Sequence, residues 1–271
     1  MSKAFQTIKT QVNDCVGELI LNRPEKRNAL NAQMVRELHE VFTLWHNDSR
    51  VKVVLLKGQG KAFCSGADLA YLQEMRHFDL QKNLQDSRSL GHLFLKIYTF
   101  PKPVVAQVEG PALAGGCGLA SVCDLIIASQ NAKFGYPEVK IGFVAALVST
   151  FLIRQIGERK AKELLISGKI LSAKEALSFG LINQVVEQSQ LQETVRQWVD
   201  QLLKNGKKAM QVTKQLFSDF SYSSIEEDIE RLAEINAEFR QTDEFAEGIR
   251  AFLEKRIPNW QSGTKREEGI C

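Results

Sequence analysis

Two short stretches concentrate the residues that could do chemistry. The first, residues 61–69, is small at Ala62, Cys64, Ser65, Gly66 and Ala67. The second, residues 110–120, carries Gly110, Gly115, Gly116 and Gly118 among alanines. Each follows an apolar run that reads as a buried strand, 51–56 and 104–108, and each opens a helix. Small side chains let another molecule approach the main chain. The first turn of a helix presents N–H groups without intrahelical partners and a partial positive charge. Two such N–H groups, converging from two loops, could hold an oxygen on which negative charge develops. Loops of this kind also serve plain strand–helix packing, and the glycine pattern alone leaves both readings open.

Several other chemistries are excluded. No Gly-Lys-Ser/Thr follows either loop, G-x-G-x-x-G is absent, and no G-x-S-x-G nucleophile turn occurs. His39, His46, His77 and His92 stand in no ligand-like spacing and C-x-x-C is missing, so no metal is expected. Cys15, Cys64, Cys117, Cys123 and Cys271 read as buried or unpaired thiols of a reducing compartment. Cys117, with no histidine near it in sequence, reads as small packing and not as a nucleophile. The net charge is only +3 and the tail Lys265-Arg266-Glu267-Glu268 is mixed in sign, so no nucleic-acid partner is expected. The first ten residues lack the apolar core of a secretion signal, and no apolar run approaches the ~20 residues of a membrane span. The expectation is a cytoplasmic protein without membrane contact.

The elements that must hold the loops follow from periodicity. Residues 5–12 and 16–22 read as two strands around a turn at Asn13-Asp14, hence a hairpin. Asn31 can cap a helix whose Met34, Val35, Leu38, Val41, Phe42 and Trp45 follow helical spacing. A helix over 80–98 is closed by Phe100-Pro101-Lys102-Pro103, and 124–128 reads as a further strand. This alternation predicts βαβ units around a mainly parallel sheet. From about Ser172 the chain turns helical, with helices at 173–179, 191–203, 207–217, 225–239 and 245–255 and a stop at Asn205-Gly206. Their broad apolar faces would pack on another subunit or on the chain's own core. A chain of 271 residues can bury a large core without disulfides or metals.

Seven blocks then stand in one family's order and spacing. They are Leu21-Asn22-Arg23-Pro24; Asn28-Ala29-Leu30-Asn31; 62–69; 114–120 with Cys123-Asp124; Phe134-Gly135-Tyr136-Pro137-Glu138; Gly168 with Ser172-Ala173 and Ala176; and Gly180-Leu181-Ile182. Over about residues 5–260 the chain resembles the enoyl-CoA hydratase/isomerase (crotonase) family. The resemblance implies an α/β fold, a crotonase-like spiral of ββα units over 1–195, with a C-terminal helical trimerisation region over 196–271. It implies a homo-trimer or hexamer and an acyl-CoA thioester substrate. Coenzyme A would arrive as part of that substrate, with no separate cofactor. By position, Ala67 and Gly115 would be the two oxyanion N–H donors. Arg27, Ala29, Ser65, Asp68 and Leu69 would contact the CoA, as would Phe252 and Lys255 of the last helix. Arg27 and Lys255 could meet its phosphates.

Family hydratases typically use two glutamates. The 134–138 block supplies one, Glu138. The other stands three residues after the second oxyanion donor, one helical turn on and facing the same site. Here that position is Gly118. Hydration delivers a proton to one carbon and removes one from water, and two carboxylates normally divide that work. One carboxylate can instead move an α-proton to the γ-carbon, as an isomerase does. The stretch 110–143 is similar to bacterial members that hydrate methylglutaconyl-CoA. The leading expectation is therefore a hydro-lyase acting on an α,β-unsaturated, methylglutaconyl-type branched acyl-CoA. The alternatives are an enoyl-CoA double-bond isomerase using Glu138 alone and a non-catalytic acyl-CoA-binding protein. Residues 144–149 replace a Pro-Gly-rich segment of the family and remodel the pocket wall. Lys140 and Arg154 are the nearby cations in sequence for a substrate carboxylate.

Overall fold

The computed structural model describes residues 5–219 and 222–261. The mixed-charge tail 265–268 and Cys271 lie outside the described residues. The chain opens with β1 (Ile8–Asn13) and β2 (Val16–Leu21), an antiparallel hairpin. Its turn residues are Asp14 and Cys15, both at positive φ (48° and 64°), one step later than the sequence signal at Asn13-Asp14. Two positive-φ residues give the turn the twist that antiparallel strands need. Next come α1 (Ala32–His46), β3 (Val53–Gly58), α2 (Leu69–Met75), α3 (Leu80–Tyr98) and β4 (Val104–Val108). Asn31 caps α1 as expected, its side chain accepting from the Met34 N–H at 2.9 Å.

The chain continues through β5 (Ala112–Leu113), α4 (Gly115–Ser121), β6 (Leu125–Ser129), β7 (Lys133–Gly135), α5 (Ala146–Ser167), β8 (Ile170–Ser172), α6 (Ala173–Phe179) and β9 (Gln184–Val186). It ends with α7 (Leu191–Lys204), α8 (Lys207–Asp219), α9 (Tyr222–Phe239) and α10 (Asp243–Leu253). One sheet runs β1-β2-β3-β4-β6-β9 and is parallel from β2 onward; a second, smaller one runs β5-β7-β8. The parallel sheet was legible because β3 and β4 are buried apolar runs. The second sheet was not, since strands of two or three residues carry no usable period.

The sequence reading placed no element across 146–167. There α5 meets α4, α9 and the turn around residue 138, so its apolar residues form no single stripe. It breaks at Gly157 (φ 77°, ψ 158°). The expected boundary at 195 falls inside α7, whose Leu191, Val195 and Val199 pack on Val53, Val105 and Ile127 of the main sheet. Ile225, Ile229 and Ala233 of α9 join the main core, with α3 as the principal neighbour. Of the two packings open to the C-terminal helices, α9 thus packs on the chain's own core. No helix among the described residues is long and apolar enough to cross a membrane.

Candidate active site

The two small-residue loops lie against each other, backbone on backbone. Phe63 and Cys64 donate to the Pro111 carbonyl at 3.1 and 3.2 Å, and Leu113 donates to the Cys64 carbonyl at 3.0 Å. The glycines make this approach possible. A Cβ on Gly116 would sit 2.2 Å from the Cys64 oxygen, and one on Gly110 would sit 2.1 Å from the Lys61 oxygen. A Cβ on Gly66 would stand 2.8 Å from Ala114 Cβ and 3.6 Å from the Gly115 nitrogen. So Gly66, just before Ala67, touches the residues that carry Gly115.

Both donor candidates are aimed by the backbone before them. Leu30 pairs with Ala67 in a parallel bridge, taking the Gly66 carbonyl at 2.7 Å and the Asp68 N–H at 2.8 Å. A residue at the centre of such a bridge turns its own N–H to the opposite side, so the Ala67 N–H points away from Leu30. Gly115 is the first residue of α4, and the first intrahelical bond runs from the Gly118 N–H to the Ala114 carbonyl at 3.0 Å. The Gly115 N–H therefore has no acceptor within its helix. Each donor follows a positive-φ residue: Gly66 at 92° and Ala114 at 51°. For Ala114, with ψ −130°, this is a costly conformation, held by its N–H bond to the Gly135 carbonyl at 2.9 Å.

A third segment braces the first loop. Arg27 accepts from the Ser65 N–H at 3.1 Å, which lays 27–30 alongside 65–68. Asn28, buried and at φ 54°, donates to the carbonyls of Gln59 (3.0 Å) and Ala62 (2.8 Å) and accepts from the Arg23 N–H at 2.9 Å. Arg23 reaches the Ala29 carbonyl at 2.7 Å and Asp68 at 2.5 Å. The Asp68 side chain also caps α2 through the Ala70 N–H at 2.9 Å. Burial alone would raise the Asp68 carboxyl, but the bonds from Arg23 and Ala70 outweigh it and hold it below its usual value. Among the expected CoA contacts, then, Arg27, Ala29, Ser65 and Asp68 share one braced ledge. The Asp68 carboxylate is already committed to Arg23. Arg23 and Asn28 are positioning residues that the sequence reading quoted within motifs but gave no role. An asparagine at a forced left-handed turn was the available signal.

Glu138 follows the small sheet. β5 and β7 run parallel with Leu113 opposite Gly135, so Gly115 and the segment after Gly135 leave the sheet at the same end. A 3-10 turn, Pro137–Ile141, then presents Glu138. The residue is 7 % exposed, and its Oε2 is buried with no hydrogen-bond partner among the described residues. Burial pushes its carboxyl up from 4.5 to about 7, against a weaker opposing hydrogen bond from its own backbone. Such a carboxyl is poised to exchange protons near neutrality. The buried Cys117 thiol is pushed up to about 12 by burial, in keeping with a packing role.

The Gly118 position is filled by hydrocarbon. A Cβ there would lie 2.6 Å from Val148 Cγ1 and 3.1 Å from the Phe94 ring. Val148 belongs to segment 144–149, so the two departures expected from the family resemblance meet in one packing contact. Beside the loops lies an apolar cluster of Leu72, Met75, Phe245 and Ile249, with Ala67, Tyr71, Ile141 and Phe143 packed against it. α10 packs on α2 and on the Glu138 turn. Phe252 and Leu69 are both 48 % exposed, and Lys255 lies beyond the end of α10 at φ 55° and not within the helix. Of the two cations proposed from sequence, Lys140 is exposed, and Arg154 pairs with Asp228 at 3.5 Å and bonds to Thr150. The close seat of α10 depends on Gly248, whose Cβ would lie 2.0 Å from the Ile141 carbonyl oxygen. Gly248→Ala is expected to lift α10 from the Glu138 turn and lower stability by about 1–3 kcal/mol. A thermal melt alongside wild type checks this.

Comparison with known proteins bears on this arrangement. The family described as enoyl-CoA hydratase/isomerase matches residues 11–263. A Thermus thermophilus protein named among the enoyl-CoA hydratases is 42% identical over 245 residues, spanning 90% of this chain and 97% of its own. The crotonyl-CoA hydratase of Syntrophomonas wolfei is 34% identical over 270 residues, spanning 96% of this chain and 99% of its own. The crystal structure of an enoyl-CoA hydratase from Mycobacterium avium subsp. paratuberculosis superposes with a TM-score of 0.85 at 26% identity, covering 94% of this chain and 99% of that one.

Proposed function

Since the chain belongs to the enoyl-CoA hydratase/isomerase family, as a hydro-lyase of the enoyl-CoA hydratase type, we propose that it hydrates an α,β-unsaturated acyl-CoA with Glu138 as its single catalytic carboxylate. The N–H groups of Ala67 and Gly115 would receive the thioester oxygen and stabilise the enolate that forms as a nucleophile adds to the β-carbon. The ionised Glu138 carboxylate would take a proton from the incoming water while its oxygen bonds to the β-carbon. The carboxylic acid so formed would then return that proton to the α-carbon, collapsing the enolate. Water is thereby added across the double bond and Glu138 is regenerated. In the reverse direction Glu138 removes the α-proton and delivers it to the departing hydroxyl. Arg27, Ala29, Ser65, Asp68, Leu69, Phe252 and Lys255 are proposed to hold the CoA moiety.

The observation that carries this reading is the buried Glu138 oxygen, without a hydrogen-bond partner among the described residues and with its carboxyl near neutrality, while Val148 and Phe94 crowd the Gly118 position. The preferred acyl group is proposed to be branched, of the methylglutaconyl kind. Assembly as a homo-trimer or hexamer belongs to the same proposal, with Leu216 and Phe217 of α8 exposed on the outside. Incubation with crotonyl-CoA, methylglutaconyl-CoA and a 3-enoyl-CoA tests the chemistry. The expected result is hydration of the first two, with methylglutaconyl-CoA favoured, and an unmoved double bond in the third. A shifted double bond without hydration would assign the single carboxylate to isomerisation. CoA binding without turnover would leave a binding protein.

A further inference from the structure

The apolar cluster beside Ala67 ends on a buried polar group. Tyr71, one turn along from Ala67, donates its hydroxyl to Asp86. Asp86 receives Arg240 Nη1 at 2.8 Å, and the same Nη1 lies 3.3 Å from Asn83 Oδ1. The Arg240 guanidinium carbon stands 5.6 Å from the centre of the Phe143 ring, which belongs to the cluster and whose N–H bonds to the Glu138 carbonyl at 3.0 Å. Arg240 is 6 % exposed, yet its Nε is buried with no partner among the described residues. Asp86 receives Nη1, so the Nε donor is the one left without an acceptor among the described residues. A buried N–H without an acceptor is costly unless a ligand supplies one. A wall that ended in hydrocarbon would have been the cheaper way to hold a plain alkyl chain.

We propose that Arg240 reads the far end of the acyl chain, and that the preferred substrates carry a hydrogen-bond-accepting oxygen there, as a carboxylate or a carbonyl. This inference rests on the reading of the site as an acyl-CoA hydratase, with the thioester carbonyl at Ala67 and Gly115. In this proposal the acyl chain runs from there along Phe143, whose ring centre stands 5.6 Å from the guanidinium carbon. The oxygen at the chain's end accepts from the idle Arg240 donor, while a methyl end leaves that donor unpaired. No proton or bond is exchanged at this end of the pocket; the group is a specificity residue.

The test uses the full-length protein and three saturated acyl-CoA esters of equal length, ending in a methyl, a carboxylate or a methyl ketone. Calorimetric Kd values for the wild type are expected to favour at least one oxygen-ended ester over the methyl-ended one by 10-fold or more. The carboxylate and ketone arms tell which acceptor is read. In Arg240→Gln that ratio should fall toward one, with Arg240→Lys between. The ratio does not depend on the fraction of variant that folds, so a weakened α3–α9 seam cannot imitate it. Equal wild-type Kd values, or an unchanged ratio in Arg240→Gln, would overturn the proposal and leave the Arg240–Asp86 pair as a helix-packing device. Hydration of crotonyl-CoA, whose chain ends in a methyl group and offers Arg240 no acceptor, is measured in parallel. Its absence would sink the hydratase reading without touching the binding ratio.

Discussion

Glu138→Gln is expected to abolish most of the hydration, lowering kcat/KM by roughly 10²–10⁴-fold, because in the proposed mechanism one carboxylate performs both proton transfers. The amide keeps the shape but can neither accept the proton of water nor return it to the α-carbon. The same carboxyl sets the pH dependence. Burial raises it to about 7, and in the proposed mechanism both hydration and dehydration begin with its ionised form, so kcat/KM of the wild type should fall as pH drops through about 7. The stability consequence runs the other way. Between pH 4.5 and about 7 the folded protein holds a proton that the unfolded chain has lost. Its stability therefore decreases as pH rises across that window and stays lowered above it. Glutamine carries no such penalty. At pH 8 the variant should be more stable than wild type by about 3 kcal/mol at most, with the difference vanishing near pH 4.5. Thermal melts of both proteins at the two pH values, with initial rates at pH 8, check all three statements. A variant of undiminished activity would remove Glu138 from the mechanism.

Gly116→Ala is expected to damage both stability and catalysis. Its Cβ would fall 2.2 Å from the Cys64 oxygen and 2.7 Å from the Cys64 carbonyl carbon, a contact with main chain that cannot rotate away. The 61–69 and 110–120 loops must separate, which moves Ala67 relative to Gly115. Forced overpacking of this kind costs about 1–3 kcal/mol, and displacing one of the two proposed oxyanion donors is expected to cost roughly 10²–10³-fold in kcat. Gly206→Ala is the matched control, since its Cβ would meet only Ala209 Cβ at 3.7 Å. The melting temperature and kcat of the two variants give the comparison. Equal behaviour would mean that the loops do not depend on this close approach.

The sequence by itself determined the parts whose physics is local. The hairpin, α1 with its Asn31 cap, the buried parallel strands and the amphipathic C-terminal helices follow from period and capping chemistry, which neighbouring residues settle. The two glycine loops were visible as places where a backbone could be approached, and family spacing marked Ala67, Gly115, Glu138 and the substitution at Gly118. What approaches those loops was beyond local reach. That each glycine loop is seated against the other depends on contacts between residues some fifty positions apart. The aim of the two N–H groups comes from a bridge to Leu30 and from a strained Ala114, neither of which has a sequence period. Tertiary structure alone raised Glu138 toward neutrality, because burial is a property of the packed chain and not of the residue. It also filled the Gly118 position with Val148 and Phe94, and set Arg240, in the turn just after α9, against Asp86 of α3 at the edge of the cluster. Residue types can be read in order along a chain, but the free energy of a buried charge or an unpaired donor depends on what the fold places around it.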